Sequence, residues 1–331
     1  MDSSVKLYIK KRVIQIPFLL LGITFLAFLL FSMSPTDPVV SYLGGPTVVQ
    51  LMGPEKVEEV RQQLGLDQPF YIRYEIWLSH IIQGDFGYSR SQNLPVLDAI
   101  LQRLPASLIL VFFAYTLAVS MSIVLALSAA KREGSFYDHA MGAGAYLLYS
   151  TPSFLIALLM IYIFTVWLGV LPPARMISLN PPDGFLGQIK DFIVHLIMPV
   201  ITLAIAQFTV YYVYLRSALS EAMQQMYITL ARAKGLSERS VLYRHALRNS
   251  LLPLITQIGL SMPAIIGGGV VVETLFAWPG VGNLTTLAAA GGDHQLMMGI
   301  LLISSFLVII GNLGADILYA VADPRVTYEE V

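Results

Sequence analysis

Apolar residues fall along this chain in six long runs, approximately Val13 to Met33, Ala106 to Ala130, Met141 to Val170, Ile193 to Leu215, Leu251 to Phe276 and Leu296 to Val321. A helix crossing a bilayer needs roughly 20 apolar residues for about 30 Å of hydrocarbon, and each run meets that length. The pattern predicts an all-α membrane protein with six spans. Between the first two runs, Ser34 to Pro105 alternates turn signals with short amphipathic pieces. Gly44, Gly45, Pro46, Gly53 and Pro54 punctuate it, Glu55 to Leu64 and Pro69 to Ile82 read as helices, and Gly84 to Val96 reads as a loop. Val96 to Leu104 then reads as a helix lying at the interface, with Pro105 starting the second span.

The one long polar stretch between two apolar runs is Leu215 to Ile255. Tyr227, Leu230 and Ala231 share a face at helical spacing, Lys234 stands in the last turn where a cation suits the helix dipole, and Gly235 is the expected left-handed stop. Leu236 can fold back on that helix, and Ser237 can cap a second one leading through Arg248 and Asn249 to Pro253. The expectation is a helix-turn-helix elbow.

Composition agrees with the pattern. Of 331 residues 56% are hydrophobic and 12% charged, with net charge −1, too apolar for a soluble domain of this size. Charge then sets an expected orientation. The elbow holds Arg216, Arg232, Lys234, Arg239, Arg244 and Arg248 against Glu221 and Glu238, and Lys6, Lys10, Lys11, Arg12, Lys131, Arg132 and Arg325 flank other spans on the same side. Positive residues near span ends mark the cytoplasmic face, so both termini are expected inside, with the first run an uncleaved signal anchor. The expected organisation is 1–33 for the N-terminus and first span, 34–105 outside, 106–321 as the core with the loop 216–250, and 322–331 as a cytoplasmic tail.

Two places in the spans suggest a path for a solute. Ser150, Thr151, Pro152 and Ser153 break the third run, and a proline at membrane depth is tolerated where protein or water satisfies the freed carbonyl. Pro263 with Gly267, Gly268 and Gly269 gives the fifth run a bend or a close helix contact. Glu273 near one helix end and Asp316 near another are read as locally solvated or hydrogen-bonded. The chain has no GxxxxGK[ST] phosphate loop, no HExxH or other metal-ligand spacing, no cysteine and no Gly-x-Ser-x-Gly nucleophile elbow, so no catalytic or metal-binding residue is assigned. Ionisable residues, which ion-coupled transporters commonly carry inside the membrane, are nearly missing from the middle of every span. Coupling to a cytoplasmic partner is favoured.

The elbow YITLARAKGLSERSVLYRHALRNSLLP, Tyr227 to Pro253, resembles the coupling loop of ABC importer permeases of the dipeptide/oligopeptide/nickel family. LGLDQPFYIRY at Leu64 to Tyr74, GDFGYS at Gly84 to Ser89, RLPASL at Arg103 to Leu108, ETLFAWPGVG at Glu273 to Gly282 and DPR at Asp323 to Arg325 extend the likeness over nearly the whole chain, in the order of the B-type subunit. Two positions depart from the wider pattern. Thr229 replaces the acidic residue of the general E-A-A-x-x-x-G loop, and Met226 stands where the family usually has Asp before the Tyr.

The resemblance implies a type I ABC importer permease fold and a chain that is no enzyme. It implies a pump with a second, C-type permease, two cytoplasmic ATP-binding subunits holding ATP and Mg, and an extracytoplasmic solute-binding protein. The chain then carries no cofactor and binds lipid but no nucleic acid. Tyr227, Leu230, Ala231, Arg232, Ala233, Lys234, Gly235 and Leu236 are implied to form the contact with one ATPase, while Phe276, Trp278, Pro279 and Gly280 face the receptor. The expected cargo is a peptide. Nickel or a metal chelate carried by the same kind of permease is the nearest alternative, and an ion-coupled secondary transporter is the alternative of another class.

Overall fold

A computed structural model of the chain describes residues 3–33, 38–43, 45–63 and 65–322, with side chains described except at 3–9, 38, 41, 46, 262–268, 316 and 318–322. Among the expected features, Ser34, Gly44, Leu64, the DPR motif and the tail lie outside the described residues, as do the side chains of Pro263, Gly267, Gly268 and Asp316.

Residues 168–184 form an irregular loop, and among the described residues the regular structure is helical apart from one two-stranded ladder. In order it runs α1 (Ser3–Ser32), α2 (Pro38–Leu43), α3 (Pro46–Met52), α4 (Pro54–Gln63), α5 (Phe70–Ile82), β1 (Tyr88–Ser89), β2 (Leu94–Pro95), α6 (Val96–Ala130), α7 (Phe136–Ser150), α8 (Ser153–Met160), α9 (Phe185–Met223), α10 (Met226–Ala233), α11 (Glu238–Ser240), α12 (Leu247–Leu260), α13 (Met262–Leu275), α14 (Val281–Ala290) and α15 (His294–Ala322). Residues Ile161–Trp167 and Val241–Ala246 are wider π-helical turns. The antiparallel ladder pairs Tyr88 with Pro95 and Ser89 with Leu94.

Among the described residues, four helices are long and apolar enough to span a membrane: α1 over Lys10–Ser32, α6, α9, and α15 over His294–Ala315. The third apolar run is broken, because α7 and α8 meet at 101° around Thr151 and Pro152. Pro152 has no N–H to continue the ladder, and its own carbonyl accepts from the amides of Leu155 and Ile156, starting α8 afresh. The fifth run is likewise divided, at Ser261, into two fourteen-residue helices that are each too short to cross alone. A further departure concerns Val96 to Leu104. It is the first part of a continuous 35-residue α6 with Pro105 inside it, rather than a separate interfacial helix. Val96 and Ile100 are fully buried, so packing, not an interface, sets their surroundings.

The chain divides into two compact units. The first comprises residues 1–11, 106–279 and 310–331. Its core is organised by α9, of which 61% of the most apolar stretch is buried, against 22% for α6 and 11% for α1. Leu203, Phe208, Tyr211, Tyr212, Leu215 and Leu219 project from α9 into one continuous cluster that includes Leu110, Leu127, Ile228, Val241, Leu242 and Leu254. Near the end of α9, Arg216 grips Asp138 of α7 through two bonds of 2.9 and 2.7 Å, and Ser220 donates to Glu133 at 2.6 Å. Asp138 is fixed for this by α7's own start, where its amide donates to the capping Ser135 and its carboxylate accepts from Gly134.

The second unit comprises residues 12–105 and 280–309. Its core joins Val96, Ala99 and Ile100 to Leu284, Ala288, Leu296 and Ile300. On α1, Phe25 and Phe28 meet Phe70 and Tyr74 of α5 edge-on or tilted at 5.5–5.7 Å. Thr24 and the Tyr74 hydroxyl are 3.0 Å apart, which fixes α5 against the helix.

Close contact between α12 and α15 depends on a missing side chain, since a Cβ on Gly259 runs into the Cβ of Ala315. Gly259→Val is therefore expected to cost about 1–3 kcal/mol through overpacking. In thermal unfolding of purified protein its Tm falls, whereas Gly142→Ala, with nothing within 4 Å, leaves Tm equal or slightly higher.

Candidate functional site

The elbow grows directly from the C-terminal end of α9. After Met223 the chain turns through Gln224 and Gln225, and α10 begins at Met226. One face of α10 is anchored: Ile228 is fully buried and Ala231 nearly so. The opposite face is open, with Met226, Tyr227 and Leu230 exposed, Leu230 at 61%. Tyr227 and Leu230 thus share a face as expected, but Ala231 turns inward with Ile228, one helical turn behind it. Sequence inspection missed Ile228; the i, i+3 pair Ile228 and Ala231 was its available signal.

The end of α10 is closed by two backbone bonds, from Gly235 N–H to Arg232 C=O at 2.9 Å and from Leu236 N–H to Ala231 C=O at 3.3 Å. This is the Schellman pattern, and it requires the left-handed residue that Gly235 supplies at φ +76°. Just beyond it, Ser237 caps the next turn by accepting from the Ser240 amide. Arg232 reaches over the corner to Glu238 with bonds of 2.8 and 3.1 Å. That hydrogen bond holds the Glu238 carboxyl below its ordinary range. Arg232, Ala233, Lys234 and Leu236 are all exposed. Val241, Leu242 and Ala246 then bury the return path, so both arms of the elbow are fixed to the core while its tip is free. A cleft of about 230 Å³ lies beside it, between Glu221 of α9, Gln225 of the turn, Tyr227, and Asn249 and Pro253.

At the other end of the α12–α13 pair, the WPG turn is built the same way. Ala277 N–H bonds to Thr274 C=O and Trp278 N–H to Glu273 C=O, with Ala277 itself at φ +45°. Phe276 and Trp278, expected to face outward, are buried instead, and the indole N–H donates to Ala106 C=O at 2.9 Å. A buried indole needs a partner for its N–H, and the Ala106 carbonyl supplies it. Pro279 is half-buried and Gly280 buried, which leaves Ala277 as the exposed tip. Glu273 is not locally solvated as expected: it is 3% exposed and accepts from Ser107 at 2.6 Å.

The residues expected along a path are separated in kind. Ser150 and Thr151 return their hydroxyls to Tyr146 and Leu147 carbonyls of the same helix, at 3.0 and 2.8 Å. Pro152 and Ser153 form the corner already described, and Gly269 is buried one turn before Glu273. The structure adds a polar node that periodicity did not disclose. Ser261, at the break between α12 and α13, donates to Ile258 C=O at 2.8 Å, so the hydroxyls of Tyr211 at 2.6 Å and Tyr115 at 3.1 Å both donate to it.

A second carboxylate was also missed. Asp293 accepts from Leu296 N–H at the start of α15, from Ser89 at the end of the GDFGYS motif and from Ser91 just beyond it, at 2.7–3.0 Å. Burial pushes its carboxyl upward, but these hydrogen bonds outweigh it and leave the carboxyl below its usual range. Gly87 at φ +81° lets the loop pass close to Gln295, whose Oε1 accepts from Tyr88 N–H.

A family model described as the binding-protein-dependent transport system inner membrane component matches residues 122–328, and a companion model for the N-terminal part of such membrane components matches 5–111. The oligopeptide transport system permease protein AppB of Bacillus subtilis is 39% identical over 97% of this chain and 98% of its own length. A Brucella suis protein named as a peptide permease is 36% identical over 93% of this chain and 95% of its own. Among solved structures, a chain of the MetNI methionine ABC transporter in an inward-facing conformation superposes with TM-score 0.50 at 15% identity, covering 69% of this chain and 96% of that one. That likeness carries the fold.

Space is open around Gly235, so only its backbone conformation restricts replacement. Gly235→Ala is expected to cost about 1–2 kcal/mol by forcing an L-residue into the left-handed region. Hydrogen exchange should rise at the amides of Gly235 and Leu236 and not in α9.

Proposed function

This chain belongs to the family of binding-protein-dependent transport system inner membrane components, and on that premise we propose that it is the B-type permease of an ATP-driven importer of peptides. It is a multi-pass inner-membrane permease with the ABC importer permease fold and is not itself an enzyme. Membership of the family implies work with ATP-binding subunits, a solute-binding protein and a second permease. The peptide cargo is inferred from relatives that match over almost their whole length and are named for oligopeptide or peptide transport.

The observation that carries the reading is the elbow: an exposed apolar strip on a short helix, anchored on its other face and mounted on α9, more buried than the spanning helix α6 of the same unit. In this reading Met226, Tyr227 and Leu230 enter a groove of one cytoplasmic ATPase. Ile228 and Ala231 fasten the helix to the core, and Arg232 through Leu236 set its exit. ATP and Mg are held by the ATPases, for which this chain offers no phosphate loop. Closure of the ATPases pushes α10, and the push passes along α9 into the bundle, giving rigid-body alternating access. Both termini then lie in the cytoplasm, α7–α8 and α12–α13 act as broken third and fifth spans of six, and segment 34–105 with the Ala277–Gly280 turn faces the receptor. The corner at Ser150–Ser153 and the Pro263–Gly269 stretch border the path.

Uptake into proteoliposomes holding the full assembly tests this reading. Labelled oligopeptide should accumulate only with internal-face ATP and external binding protein, and should persist when the membrane potential is collapsed. Accumulation of nickel but not peptide transfers the cargo to the metal. Uptake that ignores ATP and stops with the potential overturns the reading in favour of ion coupling.

A further inference from the structure

The elbow carries more positive charge than its own acids neutralise, and the structure brings two cations, Lys131 and Arg239, to one tyrosine. Lys131, the first residue after α6, places its Nζ 3.1 Å from the Tyr243 hydroxyl and 4.9 Å from that ring's centre. Arg239 approaches the same ring to 6.0 Å, and Arg132 lies over Tyr137 at 4.8 Å. Arg244 and Arg248 follow one helical turn apart and are exposed. Among the described residues, none of these five cations has a carboxylate within salt-bridge distance, while the other arginines of the loop, Arg216 and Arg232, are bonded to Asp138 and Glu238.

Two features say what the unpaired group meets. Lys131 directly follows the apolar run Ala106 to Ala130 that α6 carries, which is where a polar headgroup region begins, and its contact with Tyr243 brings the ring and Arg239 to the same end of that run. A tyrosine flanked by cations at that level is the side-chain set of a membrane interface. The patch is also unlike the strip on α10, which is apolar and shaped for a protein groove.

We propose that Lys131, Arg239 and Tyr243, with Arg132 and Arg244 next to them in the chain and Arg248 one helical turn further on, form a site for the phosphate headgroup of an anionic phospholipid of the cytoplasmic leaflet. Cations just inside a span attract such lipids at about 1 kcal/mol each, or roughly fivefold in affinity. The site holds the second arm of the elbow at the membrane surface, so α10 moves against a fixed base. It rests on the cytoplasmic placement of the elbow.

Native mass spectrometry of the full chain, released from micelles containing phosphatidylglycerol or phosphatidylcholine, reads the site directly. Phosphatidylglycerol should be retained in preference, with retention falling as salt rises. Lys131→Gln with Arg239→Gln should weaken it by about 25-fold, roughly fivefold per cation. Lys56→Gln, outside the patch, should change nothing. Equal retention of both lipids by the wild type overturns the site without reference to any variant. So does displacement by inorganic phosphate, which marks a free-anion site, or unchanged lipid with lost ATPase in the double variant, which assigns the patch to the ATPase. Labelling Lys234→Cys in the otherwise cysteine-free chain with an impermeant maleimide, in vesicles of each orientation, reports the elbow's side separately. Failure of the lipid site is thereby distinguished from failure of the placement.

Discussion

Burial of α9 is the constraint on which the rest of the first unit depends. A 39-residue helix is about 58 Å long, and this one places Tyr211, Tyr212, Leu215 and Leu219 in a close-packed cluster with residues of α6, α10 and α12. A packed interior transmits displacement because it has few voids to absorb it. Arg216 and Asp138 add a directional bond at the end nearest the elbow, largely withdrawn from water, where loss of either partner leaves an uncompensated charge. Force on α10 therefore has a stiff route inward.

Two helix stops with the same hydrogen bonds frame the divided α12–α13 pair, but they differ at the residue in the left-handed conformation. Gly235 occupies it without steric penalty at the elbow, and Ala277 occupies it at the WPG turn. The second turn keeps its shape because Trp278 is wedged inside and bonded to Ala106. The elbow has no such wedge and is held by the Arg232–Glu238 bridge, an exposed pair worth little on its own. One end is locked by packing, the other by backbone preference.

Much of the arrangement was legible in order of residues. Long apolar runs gave the spanning helices, and the step from Lys234 to Gly235 to Ser237 gave the stop and cap of the elbow, because both depend on local backbone chemistry. What failed depended on long-range packing. Phe276 and Trp278 look like an interfacial rim until the fold fills the space around them, and Glu273 looks solvated until Ser107 arrives from 166 residues away. Asp293 shows no motif because its partners come from Ser89 and Ser91, over 200 residues earlier. The breaks at Pro152 and Ser261 were half-legible: a proline signals interruption, but neither the 101° turn nor the tyrosine pair around Ser261 follows from periodicity.

The most direct test of the account is co-purification of the ATP-binding subunits with wild-type chain and with Leu230→Asp, which puts a charge on the exposed strip and leaves Ile228 and Ala231 in place. The wild type should bring down the ATPases, and the variant should lose them while keeping the wild-type Tm. Full ATPase retention by a folded Leu230→Asp chain would show that the exposed face of α10 is not the contact with the motor.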